Sequence, residues 1–257
     1  MENALLVGLS RQMSLSHELD VIANNIANID TTGYKSDRST FIEFLMPGAA
    51  NGQFTGRDRR ASFVEDRATW IDNSPGSITR TGDPLNIAID GKGYFTVQTP
   101  RGQRYTRNGA FGLDATGQLV TSDGYQVLGD GGPITFQPTD HDITISESGI
   151  ITVREGASTA DSPRGKLQIA DFAAPRLLEK DGNSTFRAPN GVNPNPAPAN
   201  TRMVQGAVEK SNVNAIAEMS RMIQITRSYQ DVAAILQQQG DQRRNALQQL
   251  SQLPTSS

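Results

Sequence analysis

The C-terminal stretch carries a pattern that a compact globule of this size cannot enclose. From Met222 onward, Ile225, Tyr229, Val232, Leu236, Gln239, Arg243, Ala246, Leu250 and Leu253 follow alternating steps of three and four, apolar at all but Gln239 and Arg243. That spacing is a heptad seam. Ser211 or Asn212 is placed to cap such a helix and Pro254 to end it. A helix from Ser211 to Leu253 is roughly 65 Å long at about 1.5 Å per residue. A compact chain of 257 residues has a radius of gyration near ~18 Å, hence a diameter below about 50 Å. The helix must project, and its seam needs a partner.

The N-terminus offers one. Leu5, Leu9, Gln12, Ser16, Leu19, Ala23 and Ile26 repeat the three-four spacing, while Leu6, Val7, Met13, Val21 and Ile22 add apolar surface outside that seam. A helix to Asn28, closed by the turn formers of "DTTG", is roughly 40 Å long. The terminal helices are therefore expected to pair as a coiled-coil-like core, with surplus apolar surface for further chains. A plain homodimeric coiled coil would show the same C-terminal pattern and stays open here. Gln237 to Gln239 and the "DQRRN" after Gly240 suit either a hydrated channel or an ordinary solvated face.

Asn24, Asn25 and Asn28 interrupt the first helix with a residue of poor helix propensity whose amide is costly to bury unpaired. The expectation is that these amides bond to adjacent helices and set register. A polar helix end before the Asp30 to Gly33 turn is the simpler alternative and accounts best for Asn28.

Between the helices the texture changes. "LNIAID", "YFTVQT", "QRYTRN", "QLVTSD", "YQVLGD", "DITISE", "GIITVR" and "KLQIADF" read as short strands, with Asp90-Gly91, Asp123-Gly124 and Asp130-Gly131 as hairpin turns. The 24 glycines and 13 prolines suit such a turn-rich region. The expected class is α+β: long terminal helices around a central antiparallel β domain. Its segments are a helix and turn over 1–35, an extended linker over 36–74, the β domain over 75–187, a second linker over 188–210 and the long helix over 211–257. Within the linkers, Met46 to Arg60 and Ala188 to Asn200 read as loops.

Chemistry is sparse. With no cysteine there is no disulfide or thiol catalysis. The histidines, His17 and His141, offer no multi-histidine metal site. His141 between Asp140 and Asp142, like the pair Glu65 and Asp66, reads as a solvated turn group rather than an acid/base pair. "DGKGYF" matches neither a phosphate loop nor a dinucleotide fingerprint, and no serine stands in a G-x-S-x-G context. No catalytic, cofactor-binding or metal residue is expected, and no small-molecule substrate. A net charge of −3 without a Lys/Arg cluster argues against nucleic acid. No apolar run approaches the ~18 residues of a membrane span. The opening "MENALLVGLSRQM" lacks the basic flank and cleavage site of a secretory leader, so export without one is expected.

Three ordered blocks carry a family resemblance. Ala23, Asn24, Asn25, Ala27, Asn28, Thr31, Gly33, Tyr34 and Lys35 fit the signature A-N-N-x-A-N-x-x-T-x-G-[FY]-K. Gly91, Gly93, Tyr94 and Phe95, then Tyr105, Thr106, Arg107, Gly109 and Phe111, fit a central G-x-G-[FY]-F and Y-T-R-x-G-x-F block. "SNVNAIAEMSRMIQITRSYQ" fits a C-terminal block. Together they resemble the axial proteins of the bacterial flagellum, the rod and hook proteins. The opening and "DRATWIDNSPGSITRTGDPLNIAI" look most like proximal-rod members; the distal-rod opening S-L-W-x-A-x-T-G-M is not matched from Asn3 to Gln12.

The resemblance implies a non-enzymatic subunit that passes unfolded through the flagellar type III export apparatus. It would pack with copies of itself and other rod subunits into a torque-transmitting shaft across the periplasm, without membrane insertion. The assembly surface would then comprise Leu5, Leu9, Leu19, Asn24, Asn25, Ile26, Asn28, Gly33, Met222, Ile225, Tyr229, Val232, Leu236 and Leu250. From the residues alone, a coiled-coil-tethered β module of adhesin or fibre type remains the alternative.

Overall fold

The computed structural model describes residues 2–46, 61–158 and 160–251. They form two compact units, one of residues 1–26, 37–70 and 214–257, the other of residues 27–36 and 71–213.

The second unit is antiparallel β. Its main sheet runs in the order Glu179–Lys180, Thr185–Arg187, Gly102–Thr106, Tyr94–Thr99, Gln126–Gly129, Leu119–Thr121, Phe111–Leu113. Ile169–Asp171 adds to Tyr94–Thr99 and in turn pairs Asn195–Pro196. Strands Asp140–Ile145, Ile150–Glu155 and Asp161–Lys166 form a separate meander. Alternation along these strands sends Phe95, Val97, Val127, Ile151 and Val153 inward, into a core that also holds Phe111 and Leu167. A second apolar cluster gathers Tyr94, Tyr105, Phe172, Leu178 and Phe186, with edge-to-face rings.

Asp123-Gly124 and Asp130-Gly131 do turn hairpins, as their paired flanks show. Asp90-Gly91 does not, because Ile87–Asp90 leaves its sequence neighbour and pairs with Arg202–Gln205, far along the sequence. Likewise Ile78–Arg80 pairs with Ala207–Glu209. The expected linker over 188–210 is thus partly strand, recruited by partners more than a hundred residues away. The expected linker over 36–74 contains Asp37–Met46 and Ala61–Ile71, which pair as a two-stranded ladder. Most of the predicted Met46 to Arg60 loop lies outside the described residues.

The first unit contains both helices, α1 (Glu2–Ala27) and α2 (Ala215–Ser251). The 37 residues of α2 span about 55 Å. Its start is later than expected: the Asn214 side chain accepts the Ala217 N–H at 3.1 Å and its carbonyl accepts the Glu218 N–H, which makes Asn214 the cap.

A coiled-coil-like helical core is not what holds this protein, and that expectation is corrected. Both buried apolar clusters lie in the β unit. Among the described side chains, α1 buries only Leu15 and Ile22 of its large apolar residues, and α2 buries only Glu218. The buried line of α1 is Leu15, Glu18, Ile22 and Asn25, one residue out of step with the predicted Ser16, Leu19, Ala23 and Ile26, of which Ser16 and Ala23 are exposed. An apolar helix offers more than one stripe at three-four spacing, and periodicity does not say which one is covered.

Candidate functional site

The three sequence blocks converge in the β unit on a buried ion cluster. After α1, the backbone turns through Asn28 and Thr31, whose side chains bond at 3.1 Å. Gly33 then adopts φ +68°, and a Cβ there would lie 2.3 Å from the Asn108 nitrogen, so only glycine fits. Its N–H donates to the Glu209 carbonyl at 2.8 Å. Next to it Lys35, 1% exposed, places Nζ 2.5 Å from Glu209 Oε1 and 2.8 Å from the Ser74 carbonyl. Glu209 Oε1 also accepts the Gly76 N–H at 2.9 Å, and Oε2 faces Arg107 Nη1 at 3.2 Å. Arg107 also donates from its terminal nitrogens to the carbonyls of Ile89 and Gly91 and stands over the Tyr94 ring at 5.3 Å. Burial lowers the pKa of Lys35 below its ordinary value, with the Glu209 carboxylate opposing that shift. Burial likewise pushes the Tyr94 phenol up to about 12.

Adjacent groups extend the junction. Asn212 accepts the Ser36 N–H at 2.8 Å and donates to the Asp72 carbonyl at 2.8 Å, so one amide ties three backbone segments. Lys180 donates to the Lys35 carbonyl at 2.7 Å and lies 4.1 Å from the centre of the Tyr34 ring. Gly109 is needed because a Cβ would fall 1.7 Å from the Ile87 carbonyl oxygen. Gly91 (φ +118°) and Gly93 (φ +122°) turn the backbone into the strand that buries Tyr94 and Phe95, and Phe95 packs on Phe111 with ring centroids 5.0 Å apart. The aromatic residues of the central motif therefore pack in the β core, and its Arg107 joins the ion cluster.

The helical unit uses its polar residues differently. Asn25, 1% exposed, both donates to and accepts from the backbone of Asp37, each at 2.9 Å. Its amide is satisfied inside its own subunit, so the expected register contact with other helices does not apply to it. Asn24 is exposed and donates back to the Asp20 carbonyl, while Asn28 belongs to the turn. Ion pairs join elements of this unit, among them Glu18 with Arg221 at 2.6 Å and Glu218 with Arg38 at 3.2 Å. Leu19, Ile26, Met222, Ile225, Tyr229, Val232 and Leu236 are half-buried and Leu9 is exposed; the side chains of Leu5 and Leu250 lie outside the described set.

The Lys35 amine is sealed from solvent and engaged by two acceptors, and Glu209 is held by three donors. Among the described residues no group of three His, Cys, Asp or Glu is arranged to hold a metal, and no helix is long and apolar enough to cross a membrane.

Comparison with known proteins matches the same blocks. Residues 5–35 match the flagella basal body rod protein family, residues 88–153 the D1 domain of flagellar hook protein FlgE/F/G, and residues 204–249 the C-terminal region of flagellar basal body rod FlgEFG proteins. The flagellar basal-body rod protein FlgF of Caulobacter vibrioides is 35% identical over 98% of this chain and 100% of its own length. This chain belongs to the flagellar basal-body rod protein family. FlgF of Mesorhizobium japonicum is 31% identical over 97% of this chain and 98% of its own, and FlgG of Bacillus subtilis 33% identical over 92% and 94%. The protein is a structural subunit of the flagellar basal body, in a family that assembles with other rod and hook proteins.

The rod-family regions and the ion cluster coincide: Lys35 closes the first matched region, Arg107 lies in the second and Glu209 in the third. Sequence reasoning placed Lys35 and Arg107 in family motifs without pairing them, read Asn212 as a possible helix cap, and passed over Glu209. Glu209 lies in a strand whose every residue is buried, which only the structure shows.

Proposed function

We propose that this protein is the proximal-rod subunit, exported unfolded by the flagellar type III apparatus. It packs through its terminal helices with copies of itself and neighbouring rod subunits, and the resulting shaft crosses the periplasm and carries torque from motor to hook. The observation that carries this reading is apolar surface on the helices. Ile216, Met219 and Ile223 line one face of α2 at 80%, 53% and 55% exposure, and Leu9 with Met13 line α1 at 45% and 66%. Side chains of this size at i, i+3 and i+7 form a stripe, and a contiguous stripe in water marks an interaction surface. The half-buried row from Met222 to Leu236 and the half-buried Leu19 contribute further packing surface. Proximal rather than distal placement is supported by the FlgF proteins of Caulobacter vibrioides and Mesorhizobium japonicum, which align over 97–98% of this chain and 98–100% of their own length.

The protein has no cysteine, so single cysteines at Ile216 or Met13 give clean cross-links in motile cells. Adducts with this protein and other rod subunits are expected. Adducts confined to soluble enzymes would overturn the reading.

A further inference from the structure

Three Asn-Gly pairs occur in the sequence, at Asn51, Asn108 and Asn190. The first lies outside the described residues. The fold treats the other two oppositely. Asn108 Oδ1 accepts the Ala110 N–H at 3.0 Å, and Gly109 is pressed against Ile87 so closely that even a Cβ would lie 1.7 Å from its carbonyl oxygen. The Gly109 carbonyl meanwhile accepts the Ile87 N–H at 2.9 Å. Neither the Asn108 amide nor the following peptide can turn. Asn190 and Gly191 instead form the middle of an exposed turn closed by the Val192 N–H on the Pro189 carbonyl at 3.0 Å. Gly191 has φ +89°, with open space within 4 Å of the point where a Cβ would sit, and among the described residues no hydrogen bond holds the Asn190 carboxamide.

We infer that Asn190 is a site of spontaneous deamidation, left reactive by the fold while Asn108 is protected. Hydroxide removes the Gly191 amide proton, and the nitrogen attacks the carboxamide carbon of Asn190. The new N–C bond closes a five-membered succinimide as the bond from that carbon to the amide nitrogen breaks, and ammonia leaves with a proton from water. A second step adds water to either ring carbonyl and opens the ring, giving aspartate or isoaspartate. One water is consumed and one ammonia released, with no oxidant or cofactor. The product adds a negative charge to a loop that leads into Pro194 to Ala199, the strap lining a cavity of about 570 Å³ beside Asp130 and Glu147. Because the conversion is one-way, its extent marks the age of the folded subunit.

The test is incubation of the purified full-length protein in mildly alkaline buffer, followed by peptide mass mapping with an isoaspartate-specific methylation assay. Conversion at Asn190 is expected to exceed that at Asn108 by at least about tenfold, a barrier difference of about 1.4 kcal/mol. In denaturant the two sites should convert at similar rates, and Gly191→Ala should slow only the Asn190 site. Equal rates in the folded protein, faster loss at Asn108, or an inert Asn190 under conditions that convert both sites in denaturant would each overturn the proposal.

Discussion

The two units differ in how far apolar side chains dominate what they bury. In the β unit, rings and branched aliphatics from several strands fill two clusters, and a buried charged knot is closed on itself by Lys35, Glu209 and Arg107. In the helical unit the buried positions of α1 are as much polar as apolar, with Ser14, Glu18 and Asn25 beside Leu15 and Ile22, while large apolar groups face water. A unit that hides its polar groups in hydrogen bonds and exposes its hydrophobics is specified in geometry but unfinished in burial. Both buried apolar clusters lie in the β unit, whereas the proposed assembly surface lies on the helices.

The sharpest way to break that contrast is to remove one member of the ion cluster. Glu209→Gln leaves Lys35 and Arg107 both charged in a sealed site without their shared carboxylate, and breaking such a pair costs about 3–5 kcal/mol. Urea unfolding followed by a β-sheet signal should show that loss, and a change below about 1 kcal/mol would mean the cluster is spectator chemistry. Alkaline titration probes the same site with a definite sign. The Tyr94 phenol, raised to about 12, contributes stability that is full below pH 10 and lost as pH climbs through 12. At about 1.36 kcal/mol per unit this is on the order of 2–3 kcal/mol, and Tyr94→Phe should flatten that limb. Lys35 works in the other direction, since its lowered pKa makes its contribution grow as pH rises toward 10.5.

Smaller effects sharpen the helical side. Asn214→Ala removes the α2 cap and should cost about 1 kcal/mol of local helix stability, read by hydrogen exchange in the first turn of α2. An unchanged exchange rate there would rule out the capping role. Ile216→Ser with Met219→Ser should alter the unfolding free energy of the isolated protein by no more than about 0.5 kcal/mol, as exposed positions do. The same variant should abolish rod assembly and swimming, and normal motility would refute the stripe as an assembly face.

Much of this was legible along the sequence. Strand alternation from Tyr94 to Val153 and the Asp-Gly turns at 123 and 130 are local signals, and they stand where they were expected. The turn at Asp90-Gly91 was misread because Ile87–Asp90 takes its partner from residues 202–205. The heptad reading of α1 chose the wrong stripe because Leu15 and Ile22 satisfy the same spacing as Leu19 and Ile26. Asn25 looked like a contact for other subunits, yet the Asp37 backbone that satisfies it lies in the strand that follows the helix.

Sequence alone determined the identity of the elements, since periods of two and of three to four follow from where successive side chains point. It pointed to the family as well, through three ordered motif blocks. Only the tertiary structure decided why those blocks belong together. Lys35 and Glu209 are 174 residues apart in sequence, and a buried charge reveals its partner only when folding has removed the water that would otherwise solvate both.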